Sequence, residues 1–129
     1  MFGKLGIFRM AQGLATHAAA RQSAIAQNVA NADTPGYRAR DVAPFAQTYE
    51  ASHTGSMRAT RAGHLLPGER VGNYVQIVDG ERPGALSPNG NNVSLENEMM
   101  MSAEVQQQHE LALSVYRSSL SILRTSLGR

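Results

Sequence analysis

Apolar and small residues recur through the first thirty positions with a helical rhythm. Phe8, Ala11, Ala15, Ala18, Gln22, Ile25 and Val29 follow one another at spacings of three and four, the repeat that keeps side chains on one helical face. Leu5 and Leu14 widen this stripe. A second stripe closes the chain: Leu95, Met99, Ser102, Gln106, His109, Leu113, Tyr116, Leu120, Leu123 and Leu127 alternate spacings of four and three without a slip. At the helical rise these segments span about 44 Å and about 50 Å. Two helices of similar length, one outgoing and one returning, predict a mainly α fold in which the terminal helices pair as an antiparallel coiled coil.

The last helix carries a further apolar row, Val105, Leu111, Ala112, Val115 and Ile122. A helix that is apolar on more than one side expects more than one neighbour. The N-terminal stripe is rich in Ala, so a partner helix can come close, yet it buries little apolar area. Both features predict folding that depends on assembly. Ser94 is placed to cap the last helix, and Glu96 and Glu98 put negative charge in its first turn, where the helix dipole favours it.

Breakers separate the two helices. All five Pro and eight of the twelve Gly lie between residues 32 and 93, which divides the chain into an N-terminal helix (1–31), an irregular middle (32–93) and a C-terminal helix (94–129). Within the middle, Val71, Val75 and Ile77 share one face of a short strand, and Asp79-Gly80 is a turn signal. The residues expected to form a return strand, Glu81-Arg82-Pro83-Gly84, break it. Residues 50–70 have no periodicity and read as a mobile loop.

The stop signal of the first helix is the most specific feature of the sequence. In Asn28-Val29-Ala30-Asn31-Ala32-Asp33-Thr34-Pro35-Gly36-Tyr37, Pro35 pushes Thr34 out of the helical region. Gly36 supplies the positive φ that a type II Thr-Pro-Gly-Tyr turn requires at its third position. Asn28 and Asn31 stand three residues apart on one face, where their amides can bind backbone groups exposed at the helix end.

This decapeptide resembles the N-terminal signature of the bacterial flagellar axial proteins, the rod, hook and hook-associated subunits. Tyr37-Arg38-Ala39-Arg40-Asp41, the run from Asn89 to Met99 and the closing Ile122-Leu123-Arg124-Thr125-Ser126-Leu127-Gly128 resemble the proximal rod members. The likeness covers roughly residues 2–41 and 89–129. It implies a structural subunit of the proximal rod of the basal body, polymerising through its terminal helices into a torque-transmitting shaft. It also implies export through the flagellar type III apparatus, without a cleaved signal peptide, to the periplasmic rod. The implied partners are other rod proteins, the adaptor between rod and MS ring, the MS ring and the export gate, in a hetero-oligomeric helical assembly. The implied interface comprises Phe8, Ala11, Leu14, Ala15, Ala18, Gln22, Ile25 and Val29 on the first helix. On the last it comprises Leu95, Met99, Gln106, His109, Leu113, Tyr116, Leu120, Leu123 and Leu127.

Composition narrows the alternatives. The formal charge of the 129 residues is only +2, and the Arg residues at 38, 40, 58, 61 and 70 are interspersed with acids, so no nucleic-acid-binding strip forms. No run approaches the about 18 apolar residues of a membrane span. The first nine residues lack the uninterrupted apolar core of a secretory signal. With no Cys and no His pair at ligand spacing among His17, His53, His64 and His109, no metal or other cofactor is expected. Neither a Gly-x-Ser-x-Gly elbow nor a phosphate-cradling glycine loop occurs, so no enzyme is expected. The competing reading is a soluble helical adaptor or chaperone-like module that offers the same stripes to a foreign partner.

Overall fold

The computed structural model describes residues 2–54, 75–80 and 86–128. Helix α1 spans Phe2–Ala30, strand β1 Arg40–Val42, helix α2 Phe45–Thr54, strand β2 Ile77–Asp79 and helix α3 Leu95–Ser126. The helices α1 and α3 run antiparallel, as three cross-contacts in reverse order show. Asn28 donates to Glu98 at 3.1 Å, Gln22 to Ser102 at 2.9 Å, and the Phe8 and Tyr116 rings meet edge to face at 5.3 Å. The terminal-helix pair expected from the two stripes is therefore present.

The core between these helices is thin. Ala18, Ile25 and Val105 are fully buried, with Met101 packed against them. Ala11 and Ala112 are buried nearby. Alanines at the contact let the helices approach closely, but each removes little apolar area from water.

The rotation of α3 differs from the one its heptad stripe suggests. Its buried residues are Glu98, Val105 and Ala112, each one position before a stripe residue (Met99, Gln106 and Leu113). One residue turns a helix by about 100°. Leu95 and Met99 are consequently exposed, Met99 at 71%. Later in the helix Leu120 and Leu123 become half-buried and Tyr116 meets Phe8. The buried residues themselves recur at an interval of seven, so the repeat is kept and its buried face is turned by one position.

Glu98 stands in the first turn of α3 as expected, and there it is 0% exposed and bonded to Asn28. Glu96 does remain exposed in the first turn. Ser94 occupies the N-cap position of α3 with extended backbone, yet its side chain forms no capping bond.

The described residues of the middle hold regular elements that its composition does not suggest. Strands β1 and β2 pair antiparallel, with Arg40 opposite Asp79, Asp41 opposite Val78 and Val42 opposite Ile77. The partner of β2 thus lies upstream in the chain, not in the broken return strand. Val75 precedes β2, and Val71 lies outside the described residues. Helix α2 was not expected at all. It follows Pro44, whose carbonyl accepts from the Thr48 N–H at 3.2 Å. Phe45 and Tyr49, one turn apart, meet with tilted rings at 5.6 Å. Residues 50–54 are accordingly helical, and the remainder of the expected loop lies outside the described residues.

Candidate functional site: the asparagine corner

The stop signal of α1 folds as its residues require. The Tyr37 N–H donates to the Thr34 carbonyl at 3.3 Å, and Gly36 takes φ 71°. That is the left-handed conformation a type II turn demands at its third position. Asn31 donates to the Gln27 carbonyl at 2.8 Å, and Thr34 Oγ1 donates to Asn31 Oδ1 at 3.2 Å. These local bonds satisfy part of the helix end.

Asn28 reaches farther. Its Nδ2 donates to the Arg40 carbonyl at 2.8 Å and to Glu98 Oε2 at 3.1 Å. Its Oδ1 accepts from the Arg40 N–H at 2.9 Å and from the Tyr37 hydroxyl at 3.1 Å. Two donors and two acceptors are the whole capacity of an amide, and all four are used inside a side chain that is 0% exposed. Asn28 therefore fixes β1, the turn and α3 to one point on α1.

The loop before α3 completes the corner. Asn91, also buried, aims Nδ2 at the carbonyls of Asn31, Ala32 and Thr34, at 2.9, 2.7 and 3.0 Å. It thereby caps the end of α1 from a position sixty residues away from Asn31. Its Oδ1 accepts from the Val93 N–H at 2.8 Å. The Asn89 carbonyl accepts from the Gly36 N–H at 2.8 Å, and Asn92 Oδ1 accepts from the Ala39 N–H. Gly90 approaches Gly36 closely enough that a Cβ on it would lie 3.6 Å from the Gly36 Cα, and its φ is 82°.

A second tie lies about two to three helical turns before Asn28. His17 is buried and donates Nε2–H to the Ala43 carbonyl at 2.7 Å, with its ring against Phe45 at 5.7 Å. Arg21 pairs with Asp41 at 3.2 Å and approaches Glu104 at 4.0 Å. His17 thus has the packing role expected of it. Among the described residues, no cluster of three His, Asp or Glu could hold a metal ion. The polar groups of the corner bind one another, so the arrangement holds chain geometry.

The expected interface residues fall into two groups. Ala11, Ala18 and Ile25 are buried within the helix pair, and Phe8, Leu14, Ala15, His109, Leu120 and Leu123 are half-buried. Gln22, Val29, Leu95, Met99, Gln106, Leu113, Tyr116 and Leu127 are exposed. Gln22, Val29 and Met99 line a shallow groove between α1 and α3, with Ile25 at its floor. On the opposite flank of α3, Leu111, Val115 and Ile122 are exposed as well. Asn31 binds a carbonyl at the helix end and the turn takes the expected geometry, whereas Asn28 binds Arg40, Tyr37 and Glu98 rather than the helix end, and Asn91 and Asn92 went unassigned. The Asn cluster at 89–92 was the available signal, since three amides beside one glycine favour bonds to backbone over a regular element.

The sequence model of the family described as flagella basal body rod protein matches residues 8–38, the stretch from α1 through the turn. The flagellar basal body rod protein FlgB of Agrobacterium fabrum is 32% identical, over 87% of this chain and 85% of its own length. The FlgB proteins of Cereibacter sphaeroides (31%, covering 83% and 82%) and Salmonella typhimurium (32%, covering 79% and 78%) are similar to a comparable extent. With a corner built from the signature residues and likeness extending through both terminal helices, this chain belongs to the FlgB family of flagellar basal body rod proteins.

Proposed function

We infer that the chain is a structural subunit of the flagellar basal body rod. One observation carries this reading beyond family membership. Helix α3 bears exposed apolar rows on both flanks of its contact with α1: Leu95, Met99 and Leu113 on one side, Leu111, Val115 and Ile122 on the other. A lone helical pair that leaves two such rows in water is incomplete. Lateral neighbours supply the missing burial, and a heterologous contact repeated between subunits builds a helical array.

In this proposal residues 1–31 and 94–129 form the inner wall of the tube, and the segment between them projects outward from the corner. The position is the proximal rod, within the periplasm. The neighbours are other rod proteins, the adaptor to the MS ring, the MS ring itself and the export gate. The subunit arrives by the flagellar export route without cleavage of a signal. The exposed stripe residues Met99, Leu113, Tyr116 and Leu127 form the lateral contact.

The test is complementation of a strain lacking this gene. A chain without residues 2–30 is expected to leave the strain without rods and non-motile. Normal rods and swimming with that truncated chain would overturn the proposal.

A further inference from the structure

Asn89-Gly90 is the only Asn-Gly pair in the sequence. Asn followed by Gly is the sequence most open to spontaneous deamidation, because Gly places no side chain in the path of the reaction. Asn89 is exposed and occupies the third position of the turn Ser87-Pro88-Asn89-Gly90. We propose that this pair is a chemical modification site. Conversion of Asn89 to isoaspartate in the undocked chain prevents the corner from closing, and the docked corner protects against it.

The reaction needs only water. The Gly90 backbone nitrogen attacks Asn89 Cγ, the bond from Cγ to Nδ2 breaks, and ammonia leaves carrying the proton lost by Gly90. The resulting succinimide is hydrolysed at one of its two carbonyls. Opening at the side-chain carbonyl gives aspartate. Opening at the backbone carbonyl gives isoaspartate, in which the main chain runs through Cβ and Cγ.

In the docked corner both reacting groups are held. The Gly90 N–H donates to the Ser87 carbonyl at 2.8 Å, and Asn89 Oδ1 accepts from the Asn91 N–H at 3.1 Å. The Asn89 carbonyl is fixed by the Gly36 N–H at 2.8 Å. Nucleophilic attack requires the Gly90 nitrogen to leave Ser87 and turn toward Cγ. None of these restraints exists in an unfolded chain.

The isoaspartyl link lengthens the backbone by one carbon at the residue that binds Gly36 through its carbonyl and Asn91 through its side chain. Both bonds lose their geometry together. Asn91 is then displaced from the carbonyls of Asn31, Ala32 and Thr34, and the end of α1 loses its cap. Ordinary aspartate has a different outcome, because its carboxylate still accepts from the Asn91 N–H. The consequence follows from main-chain length, not from the added charge.

The experiment incubates the purified full-length chain at physiological temperature in mildly alkaline buffer, with and without denaturing urea. Conversion is followed by peptide mass spectrometry and by enzymatic methylation of isoaspartate. Asn89 is expected to convert several-fold faster in urea than in the folded protein, and faster than Asn92 or Asn97. After removal of urea, the isoaspartyl fraction is expected to show reduced helical ellipticity and a lower melting temperature, while N89D melts with the parent. Equal rates in the folded and unfolded chain, or conversion no faster than at Asn92, would overturn the proposal. So would an isoaspartyl fraction that melts with the parent, or an N89D chain that melts as low as the isoaspartyl form.

Discussion

Asn28 and Glu98, seventy positions apart in sequence, meet at 3.1 Å with both side chains wholly removed from solvent. This single contact sets which side of α3 faces α1, because Glu98, Val105 and Ala112 share its face. Removing a partner from a buried polar pair is more damaging than removing the pair. Asn28→Ala takes a bonding partner from Glu98, Tyr37 and both backbone groups of Arg40. Several groups at about 1 kcal/mol each predict a loss of about 3 kcal/mol, read from urea unfolding midpoints. A double-mutant cycle with Glu98→Ala should show that the double variant loses clearly less than the summed singles. Additive losses would mean that the two residues are not coupled.

Gly36 tests the corner at its turn. At φ 71° a side chain meets the local clash of the left-handed region, although a Cβ there would meet no neighbouring atom within 4 Å. Gly36→Ala should therefore lower stability by about 1–2 kcal/mol, and Gly36→Val by more, since a β-branched residue fits that region worst. Thermal melts of both variants check this. Because the space around Gly36 is open, neither substitution should reduce the yield of soluble protein, whereas both should reduce rod assembly in complemented cells. Rod yield from Gly36→Val equal to the parent's would refute the docking role.

Much of this architecture is legible in the sequence because it rests on period and stereochemistry. The spacing of three and four locates α1 and α3 closely, and Pro35 with Gly36 locates the turn. The rotation of α3 is not legible in the same way. Its stripe is apolar, while the residue that decides the rotation is a carboxylate, and hydropathy ranks Glu98 as solvent-facing. Only the amide it meets across the helix pair reverses that ranking, and a pairing seventy residues distant leaves no local trace. Helix α2 escapes for another reason: ten residues with one aromatic pair are too few to establish a period. Pairing of β1 with β2 likewise depends on α1 and the loop before α3 bringing two three-residue strands together.

His17 separates packing from bonding. Its Nε2–H satisfies the Ala43 carbonyl at 2.7 Å at the junction of β1 and α2. His17→Leu keeps bulk against Phe45 but leaves that carbonyl without this donor, a loss of about 1–3 kcal/mol. His17→Gln retains an N–H donor and should lose less. Proteolysis provides a local readout, because cleavage should rise within α2 before the helix pair opens. Equal stability for the two variants would show that the ring's packing, not its hydrogen bond, ties α2 to α1.

The exposed rows of α3 distinguish folding from assembly. Met99, at 71% exposure, and Leu127, at 73%, contribute little to the isolated chain. Substitutions at such positions usually change stability by less than about 0.5 kcal/mol. Met99→Glu and Leu127→Glu should therefore melt with the parent as purified protein. In the proposed lateral contact the same side chains lie against a neighbour, where an unpaired carboxylate is strongly disfavoured. Complemented cells should then build few rods and swim poorly, although the subunit is made and folded. Ala18→Leu is the opposite control: Ala18 is fully buried in the helix pair, so overpacking there should destabilise the purified chain by about 1–3 kcal/mol. Full motility with Met99→Glu and Leu127→Glu combined would remove this face of α3 from the rod contact and leave the row at Leu111, Val115 and Ile122 to carry it.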